Sequence, residues 1–270
     1  MCRMFEVTRS GYYAWRNREQ SLRDKRRAER VEQVRMAYEK SGKRYGSPRV
    51  CEALRIQGVV CNLKAVAKIM KEEGISPKTG RKFVPVTTDS AHGLPIAPNL
   101  LGRRFEQAKT DAVWVTDITY IPTRQGWLYL AAVMDLCSRR IVGWAMMDHM
   151  ESSLVLAALE MALESRRPAA GLMVHSDRGS QYASDDYQGL LARHALVCSM
   201  SGKGDCYDNA AMESCWSTIK RELADRENYA TREEARMSLF EYIEVFYNRT
   251  RLHSSLGFVS PEMFEARLAA

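Results

Sequence analysis

Residues 112–121 read AVWVTDITYI. β-branched and aromatic residues dominate the stretch, so it is a strand, and a well-buried one. Working outward, GWLYLAAVMDL (126–136) is a second strand, CSRR (137–140) a turn and IVGWAMM (141–147) a third strand, which makes an antiparallel meander. SSLVLAALEMALESR (152–166) has the pattern of an amphipathic helix with a serine cap. GLMVHSD (171–177) is a fourth strand, SDDYQGLLARHA (184–195) a helix capped by Ser184, and LVCSMS (196–201) a fifth strand. The glycine-bearing loop GKGDCYDN (202–209) leads to a long helix from about Ala210. The order β-β-β-α-β-α-β-α predicts an α/β domain: a mixed five-stranded sheet with helices on both faces, two of its strands reached by helical crossovers.

Three acidic residues fit this scheme poorly as structure alone. Asp117 lies inside the first strand, where a charge is costly unless paired or bound to a cation. Asp177 ends the fourth strand, where it could simply start a turn. If the two strands are neighbours, the carboxylates sit side by side, which is unfavourable alone and favourable around divalent metal. In DNAAMESCWSTIKREL (208–223), Met212, Trp216, Ile219 and Leu223 form a buried stripe, and Glu213 borders it. Lys220, two turns further on, returns to the same face as Glu213. Glu213 also reads as an ordinary surface carboxylate, and Lys220 as a partner for acids on its own helix.

The charge is divided unevenly. Residues 1–110 hold 24 Lys and Arg against 11 Asp and Glu, whereas 111–270 hold 16 against 22. A basic front half would attract a polyanion, and an acidic back half could hold cations. Residues 19–41 read as a charged helix with sparse apolar positions at Leu22, Val31, Val34 and Tyr38. GKRYGSPRV (42–50) breaks it. SPRVCEALRIQG (47–58) is a short helix with Ser47 as cap, Pro48 in its first turn and Gly58 at its end. NLKAVAKIMKEEG (62–74) is another, capped by Asn62 and stopped by Gly74, with Leu63, Val66, Ala67, Ile69 and Met70 on its apolar face. Lys64, Lys68 and Lys71 lie opposite, so the pair fits a DNA-binding helix-turn-helix at about 47–74, although plain helical hairpins share this pattern. The expected division is 1–75 helical and DNA-binding, 76–110 a linker with four of the eight prolines, 111–230 the sheet domain, and 231–270 a helical extension.

No apolar run approaches a bilayer span, and the first residues lack a signal-peptide core, so a cytoplasmic protein without membrane contact is expected. Seven cysteines without Cys-x-x-Cys spacing read as reduced thiols.

Thirty-five residues separate Asp177 from Glu213. This pattern resembles the Asp-Asp-(35 residues)-Glu core of retroviral-type integrases and bacterial transposases. The phrases WVTDITYI (114–121), HSDRGSQY (175–182), DNAAMESCWSTIKREL (208–223) and YNRTRLHSSLGFVSPEMFE (247–265) resemble the second-frame transposase of the insertion-sequence-three family. The likeness spans about 42–266, and RSGYYAWRNR (9–18) shares it. It implies a ribonuclease-H-like fold with Asp117, Asp177 and Glu213 as catalytic ligands of two Mg2+ ions, Mn2+ being able to substitute, and Lys220 near the cut DNA end. It also implies a metal-dependent polynucleotidyl transferase. Water frees a 3′-hydroxyl at the element end and that hydroxyl attacks a second phosphodiester, first at the other end of the element, giving a circular intermediate. Partners implied are the terminal inverted repeats and target DNA, a second copy during synapsis, and an upstream-frame protein by fusion or association; the place of work is the nucleoid.

Arg178, Ser180 and Gln181 sit where they could hold DNA backbone, and Asn209 could approach the substrate. Asp208 and Asn209 read first as helix caps, Asp135 and Asp148 as turn residues, and His175 as a sheet-edge histidine within reach of the scissile phosphate. Tyr247, Asn248, Arg251 and His253 match the family tail, with packing and DNA contact equally open. A tyrosine nucleophile at Tyr187 or Tyr247 would leave the acidic trio without a purpose. An inactive DNA-binding remnant and a nuclease without strand transfer are the alternatives.

Overall fold

A computed structural model of the chain describes residues 7–77, 93–202 and 206–270. They fall into two compact units, Met1–Pro77 and Lys78–Ala270.

The first unit is helical: α1 Arg9–Arg16, α2 Leu22–Lys40, α3 Ser47–Ile56 and α4 Leu63–Glu72. The last three bury one face each, through Val34 and Tyr38, then Val50, Cys51 and Leu54, then Val66, Ile69 and Met70. Asn62 caps α4 as expected, its side-chain oxygen accepting from the Lys64 N–H at 2.8 Å. Gly58 and Gly74 take the positive φ that ends α3 and α4. Two local expectations fail. The cap of α3 is Gly46, without a side-chain bond, because the helix starts one residue earlier, on Ser47 itself. Leu63, expected on the apolar face, is exposed.

The second unit is built on five strands: β1 Val113–Thr123, β2 Gly126–Asp135, β3 Ile141–Met147, β4 Met173–Ser176 and β5 Val197–Met200. Their order is β3-β2-β1-β4-β5, with β1-β2 and β2-β3 antiparallel and β1-β4 and β4-β5 parallel. Side-chain alternation splits β1 between two cores. Val113, Val115 and Ile121 pack with α8 (Ala210–Glu222) and α9 (Arg232–Glu241), while Trp114 and Ile118 pack with α5 (Ser152–Arg166) and α7 (Asp185–Arg193). A four-residue helix α6, Ser180–Ala183, lies between β4 and α7. Ser184 caps α7, accepting from the Tyr187 N–H, but α5 begins after Glu151 without a side-chain cap. Gly143 of β3 is a close-approach position: a Cβ there would collide with the Ala158 carbonyl and the Ala162 backbone of α5.

The prolyl segment is outside the described residues at 78–92. Its continuation packs on the sheet: Leu101 is buried, and the N–H groups of Leu100 and Leu101 donate to Ser199 Oγ on β5. After α9 the chain continues in a π-helical turn, Tyr242–Tyr247, and ends in α10, Pro261–Ala269. Leu239, Tyr242, Ile243 and Tyr247 join the same core as α8. Among the described residues no helix is long and apolar enough to cross a membrane.

Candidate active site

β4 pairs with only three residues of β1, Val113, Trp114 and Val115, the last opposite His175. Two residues further, β4 has ended, so β1 loses its parallel neighbour at Asp117, and the same register sets Asp177 beside it. This is where a mixed sheet opens, at the carboxyl end of a parallel strand. Asp117 and Asp177 line one pocket there with Ile118, Met150, Gly179, Gln181 and Tyr182.

The two carboxylates are held differently. Asp117 accepts from the Trp216 indole N–H of α8 at 2.9 Å. Burial, then the neighbouring Asp177, hold its carboxyl up at about 7, with Glu213 adding a smaller push in the same direction. Asp177 accepts from the Gly179 N–H at 2.9 Å, so its loop is closed on its own side chain. A Cβ on Gly179 would crowd that carboxylate and the Gln181 amide.

Glu213 stands in the first turn of α8, exposed, and is not among the pocket-lining residues. Partial burial raises its carboxyl. Among the described residues no three His, Cys, Asp or Glu side chains converge tightly enough to form a metal site. The pair Asp117–Asp177 is brought together, and Glu213 is near enough to be felt electrostatically by Asp117. Buried stripe residues Met212, Trp216, Ile219 and Leu223 seat α8 on the sheet as the sequence pattern requires. Lys220 is half-buried with its ammonium 5.0 Å from the Tyr120 ring centre; burial lowers its pKa, and Asp225 and Asp117 pull it back up.

A scan of family models matches an integrase core domain over residues 107–206 and again over 194–261, and an HTH-like domain over 25–83. The transposase InsF of insertion sequence IS3A from Escherichia coli K12 is 46% identical over 267 residues, 98% of this chain and 92% of that protein. The chain belongs to the IS3 transposase family. A 31 kDa protein of insertion element IS600 from Shigella sonnei is 44% identical over 268 residues, covering 99% and 98% of the two chains. Among solved structures, the simian T-cell lymphotropic virus intasome in complex with a PP2A regulatory subunit aligns with a TM-score of 0.50 at 14% identity, over 79% of this chain and 69% of that one, a likeness of fold. The transposase is thus a DNA transposase with a ribonuclease-H-like, integrase-type sheet domain and an HTH-like helical unit.

Several residues singled out in the transposase sequence are structural. His175 is fully buried between Ser199 Oγ, at 2.9 Å from Nδ1, and Ser201 Oγ, at 3.3 Å from Nε2, and desolvation lowers its pKa. Asp135 is fully buried and accepts from the Asp111 and Ser138 N–H groups, each at 2.7 Å, so it builds the β2–β3 turn. Asn209 occupies the N-cap position of α8 but makes no side-chain cap bond, because the chain enters through a 3-10 turn, Cys206–Asn209, and the side chains of Asp208 and Asn209 take other partners. Asp208 instead takes bonds from Asn99, Arg103 and Gly202, tying the segment before β1 to the loop after β5. Asn209 is 6% exposed and donates to the Thr116 carbonyl beside Asp117. It therefore braces α8 against the site strand and offers little surface to DNA.

The family tail packs behind the sheet. Asn248 brackets Ile141, accepting from its N–H and donating to its carbonyl, which anchors the start of β3. Arg251 makes two bonds to Glu222 at the end of α8, at 2.9 and 2.7 Å, and Tyr242 donates to the same carboxylate. Tyr247 meets the His253 ring edge-on at 4.7 Å. All four signature residues, Tyr247, Asn248, Arg251 and His253, are at most 6% exposed. Arg178 donates to the Ser201 carbonyl and Gln181 to the Met150 carbonyl, each at the rim of the site.

Sequence reasoning missed Trp216 as the hydrogen-bond partner of Asp117. Its indole carries a polar tip on an apolar body, which is the one available signal, since a buried indole N–H needs an acceptor. It also missed the clasp at Asp208, whose side-chain partners Asn99 and Arg103 lie more than a hundred residues away.

Proposed function

We propose that the transposase cuts and rejoins DNA with Asp117, Asp177 and Glu213 as ligands of divalent magnesium. The observation that carries this reading is the pair of carboxylates at matching register positions, Asp117 on β1 and Asp177 just past the end of the parallel strand β4, lining one pocket. Burial first, and the like charge of Asp177 second, raise the Asp117 carboxyl, so the metal-free pair is held at a cost. A hard cation relieves that cost, and the oxygen-only donor set suits magnesium rather than zinc or copper. Bound there, a pair of such ions supplies activation of the attacking oxygen and charge neutralisation at the leaving oxygen.

The chain's own residues do the rest. Trp216 holds one Asp117 oxygen and fixes the direction of the carboxylate. The Gly179 N–H does the same for Asp177. Glu213, on the exposed first turn of α8 and near enough to act on the Asp117 carboxyl, would complete the set. Lys220, Arg178 and Gln181 meet the DNA backbone around the cut, and Asn209 keeps α8 seated against β1. Lys64, Lys68 and Lys71, exposed on α4, contact the terminal repeats. Joining two ends takes at least two copies on DNA, in the cytoplasm at the nucleoid, with the upstream-frame protein as a further partner.

Glu213→Gln tests the assignment on an element-end duplex in magnesium. DNA affinity should stay as in the parent protein, while both cleavage and the joined product fall by about a hundredfold or more. Cleavage at the parental rate would refute the role of Glu213. Cleavage by the parent protein without any joined product would refute strand transfer.

A further inference from the structure

Cys51 and Cys61 lie in the helical unit, away from the carboxylate site, and neither takes part in the chemistry above. Their sulfurs are 3.4 Å apart. Cys51 is 1% exposed in the middle of α3, between the buried Val50 and Leu54. Cys61 is partly exposed, in the connection between α3 and α4, one residue before the Asn62 cap. The Arg55 guanidinium donates to the Cys61 carbonyl, so a cation stands beside the pair. Burial, then the hydrogen bond and charge of Cys61, raise the Cys51 thiol. The partly exposed Cys61 is thus the one able to meet an external reagent, and the buried Cys51 is already in contact with its sulfur.

We infer that Cys51 and Cys61 form an oxidisable dithiol that closes to a disulfide across the helix-turn-helix and lowers its affinity for DNA. The oxidant is a low-molecular-weight disulfide. The Cys61 thiolate attacks one of its sulfurs, forming a mixed disulfide and releasing one thiol, which carries off a proton. Cys51 then attacks the Cys61 sulfur, releasing the second thiol with the second proton. The two protein sulfurs lose two electrons, and the external disulfide gains them.

A disulfide needs a sulfur separation of about 2.05 Å, so the contact must shorten by more than 1 Å. The packed α3 residue cannot move readily, and the connection carrying Cys61 can. Asn62 follows directly, and its side chain holds the Lys64 N–H at the start of α4. Closure therefore reseats the first turn of α4 and the lysine it presents.

The test treats the purified full chain with glutathione disulfide and digests it with trypsin under acid-quenched, non-reducing conditions. The sequence gives cleavage peptides 50–55 and 56–64, one cysteine in each. The expected result is a species linking these two peptides, absent in Cys51→Ser and Cys61→Ser. DNA affinity should fall by about fivefold or more, returning with dithiothreitol and unaffected in Cys61→Ser. Glutathione retained on Cys61 with no link to Cys51 would overturn the inference, as would a linked protein that binds DNA like the reduced one. The peptide readout does not depend on the metal assignment, so the two can fail separately.

Discussion

Asp117→Asn should make the metal-free transposase more stable while abolishing its chemistry. The substitution keeps the shape and an acceptor for the Trp216 N–H, and removes the charge that burial and Asp177 oppose. The folded carboxyl titrates at about 7, against 3.8 for an ordinary aspartate. The folded state therefore holds its proton more tightly than the unfolded one. Parental stability is highest below the unfolded pKa, falls as pH rises from about 4 to about 7, and is level above that. Each pH unit in that window is worth about 1.4 kcal/mol, so the full cost is about 4 kcal/mol at pH 8. Asp117 keeps some contact with solvent, and screening reduces the expected gain of the variant to about 2–3 kcal/mol. Urea unfolding in EDTA at pH 8 and at pH 4 measures it. The variant should be more stable at pH 8 and nearly equal to the parent at pH 4. Added magnesium should then stabilise the parent and do little for the variant. A variant no more stable than the parent at pH 8, or one with the same advantage at pH 4, would refute the raised Asp117 carboxyl and with it the cost of its burial beside Asp177.

Arg251→Met removes both guanidinium bonds from the largely buried Glu222 carboxylate, at a cost of about 3–5 kcal/mol, and adding Glu222→Gln should recover most of that. Chemical denaturation reads both; a double variant as unstable as the single one would mean that the charge is not the cause. Gly143→Ala pushes a methyl into the Ala158 carbonyl and the Ala162 backbone, so about 2–4 kcal/mol should be lost and β3 should separate from α5. Amide exchange at Ile141–Met147 would show it, and unchanged protection there would count against the close approach.

Much of the site was readable along the chain because its parts are local signals. A charge inside AVWVTDITYI and an aspartate closing an apolar strand stand out against strand chemistry, and the 3.6-residue stripe of α8 marks which residues it buries. The helix ends were less readable. Asn62 and Ser184 cap with side-chain bonds as expected, whereas Asn209, at the N-cap position of α8, and Asp208 make none, since their distant partners compete successfully for the same polar groups. The tail signature was visible as a pattern, with its meaning undecided: Asn248 and Arg251 serve β3 and α8, which lie 107 and 29 residues away in sequence.

What the sequence determined by itself was the alternation of strands and helices, the buried stripes and the identity of the acidic residues, all consequences of backbone periodicity and side-chain solubility. Tertiary structure alone decided that Asp117 falls where β4 runs out, that Asp177 lies next to it, and that Trp216 holds the first of them. Those outcomes depend on strand register and on how α8 settles against the sheet, and both are set by packing between segments that share no local code.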